Sequence, residues 1–241
     1  MDRYGSSRSS SKVRFIQVTN EANVTGAPAA SDGDYPGAIA ALIQGMVAAK
    51  AESRQRHESQ LHIGFNRSDQ NNPRARLGFW DYLRRHGAQA FRSSLDWIGV
   101  DAYPDTFGTS VSGSLLPRDA AATLVRSLLM LRRRYLSRAG IVSATPLHVS
   151  ENGYPTGEGR SYRQQAAVLR SEVEEVSSYR IAFNVTDYRW FDRRDADSSE
   201  PSIEGHYGLM RDDYSRKPAF AIYRSLIAAL GRRSPDRPHL A

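Results

Sequence analysis

The stretch Pro146-Leu-His-Val-Ser-Glu-Asn-Gly-Tyr-Pro155 decides how the chain is read, because a short apolar run there ends abruptly in an acid, an amide and a glycine. Such a run reads as a buried strand that delivers Glu151 to a solvent-facing loop. The same design occurs far upstream. In Val13-Arg-Phe-Ile-Gln-Val-Thr-Asn-Glu-Ala-Asn23 a β-rich run again terminates in a carboxylate, Glu21. Either glutamate alone is an ordinary loop acid; two at strand ends are the raw material for paired acid and base chemistry.

Working outward from these two stretches, the chain alternates strand and helix patterns. Strands are expected at Val13 to Val18, at Gln60 to Phe65 with a stop at Asn66, at Leu95 to Tyr103, at the Glu151 stretch, and from Arg180 to about Asp187. Between them lie helical patterns. Ile39, Leu42, Ile43, Met46 and Val47 form one apolar stripe at helical spacing. Asn71-Asn72-Pro73 reads as a cap opening a helix with Leu77, Trp80 and Leu83 inward, and Asp119 to Arg138 carries Leu124, Leu128 and Leu131. Further helices are expected from Ser161 to Ser177 and from Pro218 onward. Five consecutive βα units are the grammar of a parallel sheet with helices outside it. In such sheets functional residues sit at the carboxyl ends of the strands, where Glu21, Tyr103, Glu151 and Trp190 all fall. The sequence contains no GxGxxG or GxxxxGK[ST] loop, which weakens a nucleotide-binding doubly wound sheet.

Composition narrows the classes further. With 241 residues, 40% hydrophobic and 24% charged, the chain can build a sizeable core and is not wholesale disordered. The net charge of +7 and the pI near 9.8 raise nucleic-acid binding. The excess is scattered arginine rather than one basic stripe, and the densest cluster, Arg132-Arg-Arg-Tyr135, reads as a solvated helix face, so no nucleic-acid partner is expected. There is no cysteine, hence no disulfide, thiolate metal site or thiol nucleophile. No run is long and apolar enough to cross a membrane. Residues 1–12 are polar and serine-rich without an apolar core, so the chain as it stands has no secretory signal and its compartment stays open. Residues 1–12 and 232–241 are expected to be disordered, flanking one folded domain at 13–231. Sequons at Asn23, Asn66 and Asn184 are read as chance matches. His62 and His148 lack partner spacing and are read as packing residues; no metal or cofactor is expected.

Glycosidic hydrolysis needs an acid to protonate the leaving oxygen and a second carboxylate to attack the anomeric carbon or activate water. Glu21 and Glu151 could supply both. Here the sequence resembles the clan A glycoside hydrolases, retaining enzymes on a (β/α)8 barrel whose acid/base follows an asparagine at the end of the fourth strand and whose nucleophile ends the seventh. Asn20-Glu21 matches the first motif and Ser150-Glu-Asn-Gly153 resembles the second. With the Val13 strand as the fourth, the Glu151 strand is the seventh, so the spacing agrees. The resemblance implies an α/β fold, a partial TIM barrel of five βα units corresponding to barrel strands 4 to 8. It implies Glu151 as nucleophile and Glu21 as acid/base, about 5 to 5.5 Å apart. Asn20 would bond the sugar 2-hydroxyl, Tyr103 would hydrogen-bond the nucleophile, and Trp190 would form an aromatic platform under the sugar.

Departures accompany the matches. Many clan members have a histidine two residues before the sixth-strand tyrosine, and here that place is Asp101. The aspartates at 192, 195 and 197 read as a solvated loop. A full barrel needs about 250 residues, and this chain spends nearly all its length on five units, without the arginine and histidine that the family places on early strands. Its open sheet edges lead us to expect self-association. The leading reading is a retaining O-glycoside hydrolase acting on an oligo- or polysaccharide, as a truncated form of a longer and secreted parent. The alternatives are a non-catalytic carbohydrate-binding remnant and, third, a basic nucleic-acid-binding protein.

Overall fold

The structure, a computed structural model, describes residues 13–69, 73–107 and 115–231. The expectations for the two termini and for the Asn71-Asn72 cap lie outside the described residues. Five strands alternate with helices in the order β1 (Phe15–Gln17), α1 (Ala38–Gln55), β2 (His62–Ser68), α2 (Pro73–Ser94), β3 (Trp97–Ala102), α3 (Pro117–Met130). A π turn (Leu131–Tyr135) leads α3 into α4 (Leu136–Arg138), followed by β4 (Leu147–Asn152), α5 (Tyr162–Tyr179), β5 (Val185–Tyr188) and α6 (Pro218–Leu230). All strand pairs are parallel and the sheet order is β1-β2-β3-β4-β5, as sequential βα units require. The fold is a partial (β/α) barrel.

The chain separates into two compact units. The first holds the residues up to Ala102 with Arg126–Asn152 and Arg180–Arg189, and so contains the whole sheet. One face of each central strand is apolar. Ile63, Phe65, Ile98, Val100, Leu147 and Val149 are all fully buried. Phe65 meets Phe79, Trp80 and Phe91 with ring centroids 6.1 to 6.5 Å apart. On α1 the predicted stripe is the buried one, with Leu42, Ile43 and Met46 inward. Near the amino end of β3, Asp96 accepts from Lys50 Nζ (2.6 Å) and from the backbone of Ile63 (2.7 Å), tying α1 to the start of the sheet.

The opposite face of the strands carries the polar residues, and it works because of two glycines. A Cβ on Gly64 would lie 2.3 Å from the Trp97 ring, and one on Gly99 would lie 2.2 Å from Ser150 Oγ and 3.0 Å from Asn66 Cβ. Gly99 thus opens the space in which side chains from β2 and β4 approach each other. Between β3 and β4 the register slips by one residue after Val100, so that Asp101 pairs with Glu151. A bulge of this kind re-aims side chains locally, and here it presents both Ser150 and Glu151 to Asp101.

Element limits differ from the sequence reading in instructive ways. β1 has three residues instead of six and is mostly exposed, as an edge strand paired only with β2. β2 runs on to Ser68, so Asn66 lies inside the strand and is fully buried. Arg132 is not simply a solvated face residue. Its guanidinium donates to the carbonyls of Thr145 (2.8 Å) and Phe183 (3.1 Å from Nε), and burial lowers its pKa.

The second unit holds Tyr103–Val125, Gly153–Tyr179 and the residues from Trp190 onward. Its polar centre is a buried ion pair. Lys217 Nζ lies 2.7 Å from Asp195 Oδ1 and also donates to Thr156 Oγ1 and the His206 carbonyl, both at 3.0 Å. Asp195 further accepts from the backbone of Gly208 (2.8 Å) and from Ser198 Oγ (3.0 Å). The reading of this aspartate as part of a solvated loop is therefore corrected: it is 1% exposed, because a lysine 22 residues further on supplies its counter-charge. Asp197, by contrast, is exposed.

Candidate active site

Glu21 stands on the turn that follows β1, and its backbone is held at φ +46. Left-handed backbone at a non-glycine residue persists only where its surroundings over-determine it, and the hydrogen bonds show how. Glu21 N donates to Asn66 Oδ1 (2.9 Å). Asn20 N donates to Asp32 Oδ2 (2.6 Å), Asp32 N returns to the Asn20 carbonyl (2.8 Å), and Asn20 Nδ2 donates to the Ala30 carbonyl (2.8 Å). Just beyond, the Asn23 amide and the backbone of Ser68 exchange two bonds, at 2.9 and 3.0 Å. The loop is thereby fastened to β2, and the sequons at Asn23 and Asn66 sit on buried side chains already engaged.

Asn66 is the junction of this network. Its Nδ2 donates to Asn20 Oδ1 (2.7 Å) and, through a short bond, to Asp101 Oδ2. The other Asp101 oxygen, Oδ1, accepts from Ser150 Oγ at 2.5 Å. Continuing along β4, Asn152 Nδ2 donates to the Ala102 carbonyl (2.8 Å) and its Oδ1 accepts from the Tyr188 hydroxyl. A polar ladder therefore crosses the carboxyl ends of β1 to β5; Glu21 and Asp101 belong to it, and Glu151 lies beside Asp101 in the strand register.

Three neighbouring carboxyls, Asp101 fully buried and the two glutamates half-buried, cannot all ionise freely. Burial first, and then the charge of Glu151, raises the Glu21 pKa from 4.5 to about 7, while hydrogen bonds from Ser68 and Asp101 pull in the other direction. Asp101 is pushed well above the ordinary aspartate range, by burial first and then by Glu151 and Glu21. Near neutral pH the cluster thus holds protons that solvent-exposed carboxylates would have lost, and a half-buried Glu21 can give one up.

Of the residues expected from the sequence, Asn20, Glu21 and Glu151 meet in the first unit, joined by Asp101, Asn66 and Ser150. Tyr103 and Trp190 fall in the second unit. There Tyr103 sits among rings, with Phe107 at 5.5 Å, Phe191 at 6.0 Å and Tyr207 at 5.5 Å. Trp190 is only 8% exposed, whereas its neighbour Phe191 is 40% exposed. His148 is buried and stacked on Trp97 (4.4 Å, 12°), and burial lowers its pKa to about 4, so it is a neutral packing ring. Asn66 and Ser150 were missed as site residues. The available signals were the polar asparagine closing an apolar strand pattern and the serine immediately before Glu151.

The fold, a partial (β/α) barrel, is one that solved glycoside hydrolases share. Comparison with solved structures gives the particulars. The chain is similar to an endo-laminarinase from Formosa (18% identity, TM-score 0.56), covering 91% of this chain and 60% of that one. It is similar to the β-glycosidase of Thermosphaera aggregans (17%, TM-score 0.53; 90% and 55%). A glycoside hydrolase family 17 β-1,3-glucanosyltransferase from Rhizomucor miehei also matches (17%, TM-score 0.51; 79% and 59%). At this identity the likeness shows the fold, and the chain spans under two thirds of each of these structures. No family model and no curated protein matches the chain. Among the described residues no helix is long and apolar enough to cross a membrane.

Proposed function

We propose that the chain is the carboxyl-terminal portion of a retaining glycoside hydrolase, with Glu21 as acid/base and Glu151 as nucleophile. The observation that carries this reading is the cluster of Glu21, Asp101 and Glu151 at the carboxyl ends of one parallel sheet, with Glu21 holding its proton to about pH 7. That is the condition a general acid must meet near neutral pH. In the first half-reaction Glu151 attacks the anomeric carbon while Glu21 gives its proton to the leaving oxygen. The ionised Glu21 then takes a proton from water as the hydroxyl displaces Glu151. Asn20 retains an amide hydrogen for a sugar hydroxyl, because Nδ2 donates once, to Ala30, and Oδ1 is occupied by Gln17 and Asn66.

For the aromatic platform, exposure favours Phe191 over Trp190. Ring faces bind sugars by covering apolar C–H surface, which a buried indole cannot offer. The substrate class is an oligo- or polysaccharide. A panel of aryl β-glycosides assayed with the purified chain tests the proposal: kcat lowered by about 10²-fold or more in both Glu21→Gln and Glu151→Gln supports it, and an undiminished kcat in either variant refutes it. The coverage of 55 to 60% of the glycosidase structures favours a second reading, a carbohydrate-binding remnant. That reading predicts oligosaccharide binding in calorimetry without any turnover.

A further inference from the structure

Asp101 has no assigned part in double displacement, yet it is the most deeply placed of the three carboxyls. Its side chain is fully buried, and both its oxygens are claimed by neutral donors, Asn66 Nδ2 and Ser150 Oγ. The charged or titratable groups that face it are Glu21, from the turn after β1, and Glu151, from β4. No cation among the described residues pairs with it. Arg67, on the neighbouring strand, is turned to the helix side, where it meets Asp69 (3.0 Å) and the Tyr135 ring. A negative charge here would be buried beside whichever of Glu21 and Glu151 is ionised; the bonds accepted from Asn66 and Ser150 favour the charge, but burial and the neighbouring carboxyls outweigh them.

We propose that Asp101 is a neutral carboxylic acid throughout the reaction, a positioning residue whose O–H donates to the Glu21 carboxylate whenever Glu21 has given up its proton. The inference rests on the glycosidase reading and deepens it. While the sugar is esterified to Glu151, Glu21 is the ionised member of the cluster. The Asp101 O–H stabilises that charge without transferring its own proton, and Glu21 regains a proton from the attacking water. Asn66 and Ser150 fix the orientation of the acid, and Asn66 also holds the Glu21 backbone, so one side chain sets both ends of the bond.

Two substitutions separate the donor from the charge. Asp101→Asn is nearly isosteric and keeps a neutral donor, whereas Asp101→Ala removes it. Infrared spectroscopy over a pH titration provides a readout independent of turnover. Wild type should keep a protonated-carboxyl stretch above the pH at which Glu21 has ionised, and Asp101→Asn should lack it. If wild type has no such band, Asp101 is ionised and the proposal falls. In turnover of aryl glycosides, Asp101→Asn should stay within about 5-fold of wild type, the scale of one neutral hydrogen bond, with its alkaline limb in place. Asp101→Ala should lose on the order of 10²-fold, as when a donor to a developing anion is deleted, and its alkaline limb should move to higher pH. If Asp101→Asn falls as far as Asp101→Ala, the proposal is overturned. Should the alanine variant fail to fold, the asparagine variant's pH profile and infrared spectrum still decide. The infrared band without turnover of any glycoside would refute the glycosidase reading, and the positioning role with it, while leaving the buried acid standing.

Discussion

Replacing Glu21 with glutamine keeps the size of the side chain and removes its ionisation, so it isolates the free energy stored in the carboxyl cluster. In the unfolded chain this group titrates near 4.5 and in the folded chain at about 7. Below about pH 4.5 both states carry the proton and the carboxyl does not oppose folding. As the pH rises from there to about 7, the unfolded chain loses the proton while the folded one retains it, so stability falls. Above about pH 7 the loss is complete, and at about 1.36 kcal/mol per pH unit it amounts to about 3 kcal/mol. Glu21→Gln should recover it. For a chain of this size 1 kcal/mol moves Tm by about 2–4 °C, so the variant should melt roughly 6–12 °C higher than wild type at about pH 8. At about pH 4 the two should melt together, since neither carries the charge. Thermal melts by circular dichroism across this range check the sign and the window. A gain that is equal at both ends, or absent at the alkaline end, would refute the claim that Glu21 is held protonated by burial and by Glu151.

Other perturbations address different parts of the structure. Turnover of an aryl glycoside should decline above about pH 7 as Glu21 loses its proton, and kcat of Glu21→Gln should drop by about 10²- to 10⁴-fold, the usual contribution of a general acid. Gly99→Ala puts a methyl 2.2 Å from Ser150 Oγ and should destabilise by about 1–3 kcal/mol, read by urea unfolding. Lys217→Met leaves Asp195 buried without its cation and should cost about 3–5 kcal/mol in the same assay. Phe191→Ala should raise KM more than Trp190→Phe does, because only the former removes an exposed ring.

The parts of the fold legible in the sequence are those set by local periodicity. The stripe of Leu42, Ile43 and Met46 on α1 and the apolar runs of β3 and β4 repeat at helical or strand spacing, and five such alternations leave little choice but a parallel sheet. What escaped reading depends on contacts far apart in the chain. Asn66 looks like a strand stop because polar residues commonly end buried strands; it continues β2 because Asn20, Glu21 and Asp101 satisfy its amide. Asp195 reads as exposed until Lys217 is brought beside it. The choice between Trp190 and Phe191 is open in sequence for another reason. β5 ends at Tyr188, and beyond a strand's last residue its alternation no longer says which of two adjacent rings turns inward. Asp101 stood out only as a departure from a family pattern, and its importance came from the bulge that brings Ser150 and Glu151 to it.

The central claim is that Glu151 forms a covalent bond to the sugar while Glu21 manages the proton. Mass spectrometry of the intact, folded chain after brief exposure to a panel of 2-deoxy-2-fluoro glycosyl fluorides tests it most directly, with peptide mapping to locate the label. The account predicts a single glycosyl adduct on Glu151 that is absent in Glu151→Gln and persists in Glu21→Gln. An adduct on another carboxyl, or none from any sugar in the panel, would contradict it.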